Sequence, residues 1–395
     1  MNNAIYGSDL APGYSKRVGI PPYWQNIILV TKNTSNFRVP QGVYTIGIAC
    51  FGAGGGGASG RYIRAVGGAG GGFAFGILKV QPGQLLPTIT IGTGGTGGVN
   101  DQNGTTGGTT SVGTLLTATG GGGGVSNANA TSVGGTGTVD ASLIYARTYT
   151  GGSVADWEQS GGASAGSFYG NGSDPGAANT GGAGIGPNSN GMGAGGNGSC
   201  GGGASYSQGI NAGSTAFSGL IRSAPGISTP TLRLYDGTSA ATYNKGYFNA
   251  FYNKTLDGSA GANGGQNIAA GNGGPGAGGG YNAFNGYAQA AGSWVAGNGG
   301  FGGGGGQAYW NDQGQVGSSG RYIYGGAGGF AAGGGSAYML KSSNVSTTNV
   351  SYAGAGGLGG GGGGAARLDT GSGGIDVRGG NGGNGAVLLF WTDGY

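Results

Sequence analysis

The 395 residues contain no histidine. That absence removes Ser–His and Cys–His nucleophile pairs together with the commonest zinc ligand. Charge is scarce as well, at 7% of residues, and the 12 Asp+Glu are scattered. Asp156-Trp157-Glu158 sets two carboxylates close together, the minimum for glycoside hydrolysis. Such a pair on a polar loop is more often simply solvated. No active site, metal or cofactor is expected.

The 16 Lys+Arg stand singly, so a formal charge of +4 comes without the basic stripe of a nucleic-acid binder. Two cysteines are too few for a disulfide framework. Cys50 lies in the apolar run Ile46 to Phe51 and reads as a buried thiol. Cys200, in a glycine tract, reads as nearer the surface, and a bond between the two stays open. No run approaches the ~18 apolar residues of a membrane helix. The first residues lack a cationic start followed by an apolar stretch, so neither membrane insertion nor a secretory leader is expected.

What the chain has is glycine: 110 residues, roughly four times the ordinary share. It also has 21 Tyr, 12 Phe and 5 Trp, which disordered glycine-rich linkers lack. Order is therefore expected, and it is costly. Glycine loses about 0.5–1 kcal/mol more than alanine in a regular element, an excess of tens of kcal/mol over the chain against a net stability of about 5–15 kcal/mol. Backbone hydrogen bonding between closely packed segments is the natural compensation.

Residues 1–23 read as an extended tether, broken by Pro12, Pro21 and Pro22. Residues 24–124 read as short strands: Trp24–Val30, Tyr44–Phe51, Phe73–Val80, Pro87–Ile91 and Leu115–Thr119, with turns at Pro40-Gln-Gly42 and Gln81-Pro82-Gly83. Alternation, β-branched content and Pro/Gly punctuation predict an all-β sandwich, almost without helix. Ala386–Trp391 is apolar throughout with few local partners. It is expected to close the same base, so that 24–124 plus 381–395 form one β-sandwich and 125–380 a long excursion from it.

In that excursion glycine recurs at every third position, as at Gly258, Gly261 and Gly264 or Gly379, Gly382 and Gly385. Three residues per turn is the period of a polyproline II helix. A glycine at each turn clears one face for a neighbour, and stacked helices can then pair their orphan N–H and C=O groups sideways. Collagen is excluded because the period is not sustained and only 11 prolines occur. Gly60-Arg-Tyr-Ile63 and Gly320-Arg-Tyr-Ile323 both precede glycine runs, either as equivalent turns or by chance in a biased composition.

Between the tracts lie segments rich in Tyr, Trp, Phe and Asn: Leu143–Trp157, Phe217–Tyr252, Tyr281–Trp294, Gln307–Tyr324 and Tyr338–Tyr352. Tyr and Trp with Ser, Gly and Asn is the composition of binding loops. Tyr145, Tyr149, Trp157, Tyr243, Tyr247, Phe248, Tyr252, Trp294, Tyr309 and Trp310 are the contact candidates. Aromatics that cap the glycine layers or line a subunit interface are the competing reading.

The order of motifs completes the picture. Phe37-Arg-Val-Pro-Gln-Gly-Val-Tyr-Thr-Ile46 runs into Cys50-Phe-Gly-Ala-Gly-Gly-Gly-Gly57. Then come Phe73-Ala-Phe, Val80-Gln-Pro-Gly83, Thr88–Gly98, Gly107–Gly113, Leu115–Gly124 and the terminal Gly382–Trp391. Residues 36–124 plus 379–391 thus resemble the glycine-rich domain of phage tail-fibre proteins. The middle is similar in style to the tail-tip adhesins of T-even-type phages.

The resemblance implies stacked polyproline II glycine helices with distal receptor-contacting loops. It also implies a virion (tail) protein, assembled in the host cytoplasm, which binds a bacterial surface receptor, either a glycan or an outer-membrane protein. The tether would dock on other tail or baseplate proteins, and a homotrimer stays open. A purely structural virion protein is the alternative.

Overall fold

The apolar runs from the two ends of the chain lie side by side. The computed structural model describes residues 24, 26–60, 65–126, 130–155, 160–168, 170–175, 181–184, 203, 232–235, 240–242, 264, 269–273, 278–286, 292–300, 303–312, 320–341, 349–368 and 375–393. Among these there is no helix. Strands β1 (Asn26–Val30) and β2 (Thr45–Phe51) flank the last strand, β20 (Ala386–Trp391), and both pair with it antiparallel. The sheet continues from β2 into β4 (Phe73–Lys79) and β9 (Tyr145–Tyr149), and from β1 into β10 (Leu232–Tyr235) and β11 (Ala240–Thr242).

The central strands are predominantly apolar because both of their faces are covered. Leu388, Phe390, Phe51, Phe73 and Phe75 point to one core, where Phe168, Phe330 and Leu358 from later segments pack on them. Val387, Leu389, Trp391, Ile46, Ile48 and Cys50 point to the other. That second core is shared with a four-stranded antiparallel sheet of β5 (Ile89–Thr90), β6 (Thr110–Val112), β7 (Leu116–Ala118) and β8 (Gly137–Val139). Gly42 and Gly83 take φ of 79° in the two expected turns, a region that L side chains avoid.

The glycine tracts bond sideways, as residues 52–58 illustrate. Gly52, Gly55 and Ala58 donate to Gly72, Ala69 and Val66; Ala53 and Gly56 to Gly108 and Thr105; Gly54 and Gly57 to Gly383 and Gly380, all at 2.8–3.1 Å. The carbonyls of Ala53 and Gly56 accept from Gly121 and Gly124, those of Gly54 and Gly57 from Gly95 and Gly98, and that of Gly55 from Gly362. Every third residue faces the same neighbour, and the segment is bonded to six others. This is the three-residue turn of a polyproline II helix with its orphan groups satisfied by packing. Side chains are excluded by contact: a Cβ on Gly54 would overlap the carbonyl oxygen of Gly360, and one on Gly361 that of Gly68.

At the margin of the layer asparagines replace missing backbone partners. Asn384 Oδ1 accepts from Gly94 N and Asn381 Oδ1 from Gly97 N, each at 2.8 Å. Asn272 and Asn298 do the same for Asn298 N and Ala327 N.

The segments between tracts are not simply distal loops. Strands β12 (Asn282–Gly286), β14 (Ala308–Asp312), β16 (Ala337–Lys341), β18 (Ala365–Leu368) and β3 (Ser59–Gly60) form one parallel ladder. A second consists of β13 (Gly292–Val295), β15 (Arg321–Tyr324), β17 (Asn349–Tyr352) and β19 (Ile375–Arg378), also parallel. Asn282, Ala308, Ala337 and Ala365 stand in one column, so the chain repeats every 26 to 29 residues. Each repeat is a strand of the first ladder, a strand of the second and a glycine tract.

The inner faces of the two ladders meet in a core of Trp294, Trp310, Ile323, Met339 and Val377 with three alanines of the first ladder. Arg321 is fully buried there, its guanidinium 4.6 Å from the Trp310 ring centroid. Of the first Gly-Arg-Tyr-Ile motif, Arg61–Ile63 lie outside the described residues. Gly60 pairs with Ala366 in the first ladder, whereas Arg321–Ile323 belong to the second.

Candidate functional site

In β13, β15, β17 and β19 alternate residues point away from the shared core. Their register makes a grid of two columns. One is Ser293, Tyr322, Val350 and Asp376; the other is Val295, Tyr324, Tyr352 and Arg378. Adjacent strands stand about 4.8 Å apart, so neighbours within a column touch. Tyr322 is 42% exposed, while Val350 beside it is buried. The Tyr324 and Tyr352 rings meet edge to face at 5.7 Å.

The lower end of the grid is tied together by charge. Arg378 Nε donates to Asp376 Oδ1 at 2.8 Å and a terminal nitrogen to Oδ2 at 2.9 Å. The Tyr352 hydroxyl donates to the same Oδ2, and the Arg378 guanidinium lies 4.9 Å from the Tyr352 ring centroid. Burial acts to raise the Asp376 pKa, but the hydrogen bonds from Arg378 and Tyr352, with the charge of Arg378, outweigh it and hold the carboxyl below its usual range. Tyr352 moves up, through burial and then through its bond to the carboxylate.

A turn from the base borders this face. Asn100 N donates to Val377 O at 3.0 Å, and Asn100 Oδ1 accepts from Val377 N at 3.1 Å. Asn100 and Asp101 hold φ of 48° and 73°, the left-handed region that Asn and Asp enter more readily than other non-glycine residues.

The ten candidates read from the sequence fall into three groups. Trp294 and Trp310 are wholly buried, their rings 6.2 Å apart in the core between the ladders. They cannot contact a receptor, and the sequence expectation is corrected. Both sit at inward positions of their strands, a parity that a loop reading does not consider. Tyr309 is half-buried on the outer face of the first ladder, 5.7 Å from Tyr338.

Tyr145 and Tyr149 are half-buried on β9, an outer strand of the base sheet rather than a distal loop. They pack on Phe75 and Phe73. The exposed Arg147 lies between them, its Nε donating to Tyr145 and a terminal nitrogen to Tyr149 at 3.4 Å. Trp157, Tyr243, Tyr247, Phe248 and Tyr252 lie outside the described residues, as does Cys200. Cys50 is buried, and desolvation raises its thiol pKa far above the ordinary value.

Sequence reasoning passed over Tyr322, Tyr324, Tyr352, Asp376 and Arg378. The signal was present in Arg321-Tyr-Ile-Tyr324, whose alternation places two tyrosines on one face of a strand. Among the described residues no three His, Cys, Asp or Glu side chains gather as a metal site would require.

Residues 30–220 match the family model of a glycine-rich domain. The matched span holds most of the base and the first tracts; both ladders except β3 lie beyond it. No curated protein matches the chain.

Proposed function

We propose that this chain is a non-enzymatic adhesin of a bacteriophage tail fibre or tail tip, which attaches the virion to a receptor on the bacterial surface. The observation that carries the reading is the outer face of the second ladder. Tyr322, Tyr324 and Tyr352 are presented there with a paired carboxylate and guanidinium, on strands whose other face is locked in a core. Rigid aromatics with polar neighbours give contact area at low entropic cost, and a backbone cross-bonded through its glycines holds them in place. The motif order of residues 36–124, which resembles that of phage tail-fibre proteins, supports the tail-fibre setting. In this reading residues 1–23 dock the chain on other tail or baseplate proteins.

Binding of fluorescently labelled protein to a broad panel of bacterial strains tests the reading. Strain-selective binding is expected. Folded protein that binds no strain would instead favour a purely structural virion component.

A further inference from the structure

We infer that the outer face of the second ladder is a binding site for a neutral oligosaccharide, laid across the strands from Tyr322 to Arg378. The inference rests on the adhesin reading for the source of the sugar, and it commits this face to a glycan rather than to a protein.

Charge comes first. The only ionised groups placed on the grid are Asp376 and Arg378, and they neutralise each other in a two-pronged pair. Among the described residues of this face an anionic sugar would find no uncompensated cation, and it would meet the carboxylate. A neutral sugar meets acceptor lone pairs on Asp376, the phenol of Tyr352 and the guanidinium nitrogen not engaged by Asp376, which suits a ring of hydroxyls. The Tyr322 and Tyr324 rings supply apolar surface against which the C–H face of a pyranose can lie.

The edges of the ladder argue against a protein partner. At β19 the Val377 N–H and C=O are taken by Asn100. At β13 the Val295 carbonyl accepts from Ala270 N at 2.9 Å and from Asn282 Nδ2 at 3.1 Å. Strand addition, the usual way for a peptide to join a sheet, is blocked at both positions.

Preorganisation is the third observation. Tyr352 is held by Tyr324, Asp376 and Arg378 together. The bordering turn clamps β19 through the two hydrogen bonds of Asn100 to Val377. A weak ligand such as a sugar benefits most from a site that needs no ordering on binding.

The test uses the full chain on an array of neutral hexose and N-acetylhexosamine oligosaccharides beside their uronic-acid counterparts, with calorimetry on the hits. At least one neutral oligosaccharide should bind. Tyr322→Ala and Arg378→Gln should each weaken it ~10-fold or more, while Leu85→Ala, exposed on the base, leaves it unchanged. Tyr322 is exposed, so its variant should melt with the wild type, which separates lost binding from lost folding. Binding confined to uronic-acid sugars, or indifferent to Tyr322→Ala and Arg378→Gln, overturns the inference. Binding to cells without binding to any sugar overturns it too but leaves the adhesin reading standing; binding to neither removes both.

Discussion

The hydroxyl of Tyr352 donates to the carboxylate of Asp376, 24 residues further along the chain and one strand across the ladder. Arg378 grips the same carboxylate from its other side. Three side chains from two strands are thereby fixed at the end of the tyrosine grid.

This arrangement has a pH signature. The Asp376 pKa is lowered in the folded protein, so the order it confers is complete above the unfolded carboxyl value of about 3.9. That order is lost as pH falls through the lower folded value. Cell binding should be flat from neutral pH down to about pH 5 and fall away only at the acid end of the carboxylate range. Asp376→Asn should remove that acid limb, as read from binding measured across pH.

The glycine layer predicts a rank order of substitutions. Gly361→Ala drives a Cβ into the backbone carbonyl of Gly68, with no flexible side chain to yield. It should cost about 4 kcal/mol or more, or prevent folding. At Gly122 the nearest atom to a new Cβ is Val133 N at 3.1 Å, so Gly122→Ala should cost clearly less. Denaturant midpoints of the two variants check the order.

The asparagine margin should matter modestly. Asn381→Ala and Asn384→Ala each remove an acceptor from an exposed backbone N–H and should cost about 0.5–1.5 kcal/mol apiece. Hydrogen exchange at Gly94 and Gly97 should accelerate in the double variant while the core strands stay protected.

Cys50 should resist alkylation in the native protein and react at once in denaturant. Its side chain is fully buried, and burial suppresses the thiolate. Native-state reactivity at Cys50 would contradict the placement of β2 in the middle of the sheet.

The base was legible because its signals are local. β2, β4 and β20 are continuous apolar runs bounded by turn residues, and each falls within one or two residues of its expected limits. Ala386–Trp391 has no nearby partner, which is why the sequence already implied pairing with the amino-terminal strands. The polyproline II layer was legible from its period, since a glycine at every third position has few other uses.

The ladders were not legible. Apart from the two-residue β3, their strands are four or five residues long, and each finds its partner a whole repeat away, as Tyr322 finds Val350. Sequence similarity between repeats is weak because a column needs only side chains of like size facing inward; Trp310, Met339 and Arg367 share one. Without that parity, composition alone does not separate the inward Trp294 and Trp310 from the outward Tyr322.

The central claim is most directly tested by measuring strain binding in parallel for the wild type and the Tyr322→Ala/Arg378→Gln double variant, each first shown to be folded. Selective binding by the wild type and loss of that binding in the double variant is the predicted result. A wild type that binds no strain would contradict the adhesin reading, and a double variant that binds as well as the wild type would contradict the placement of its site.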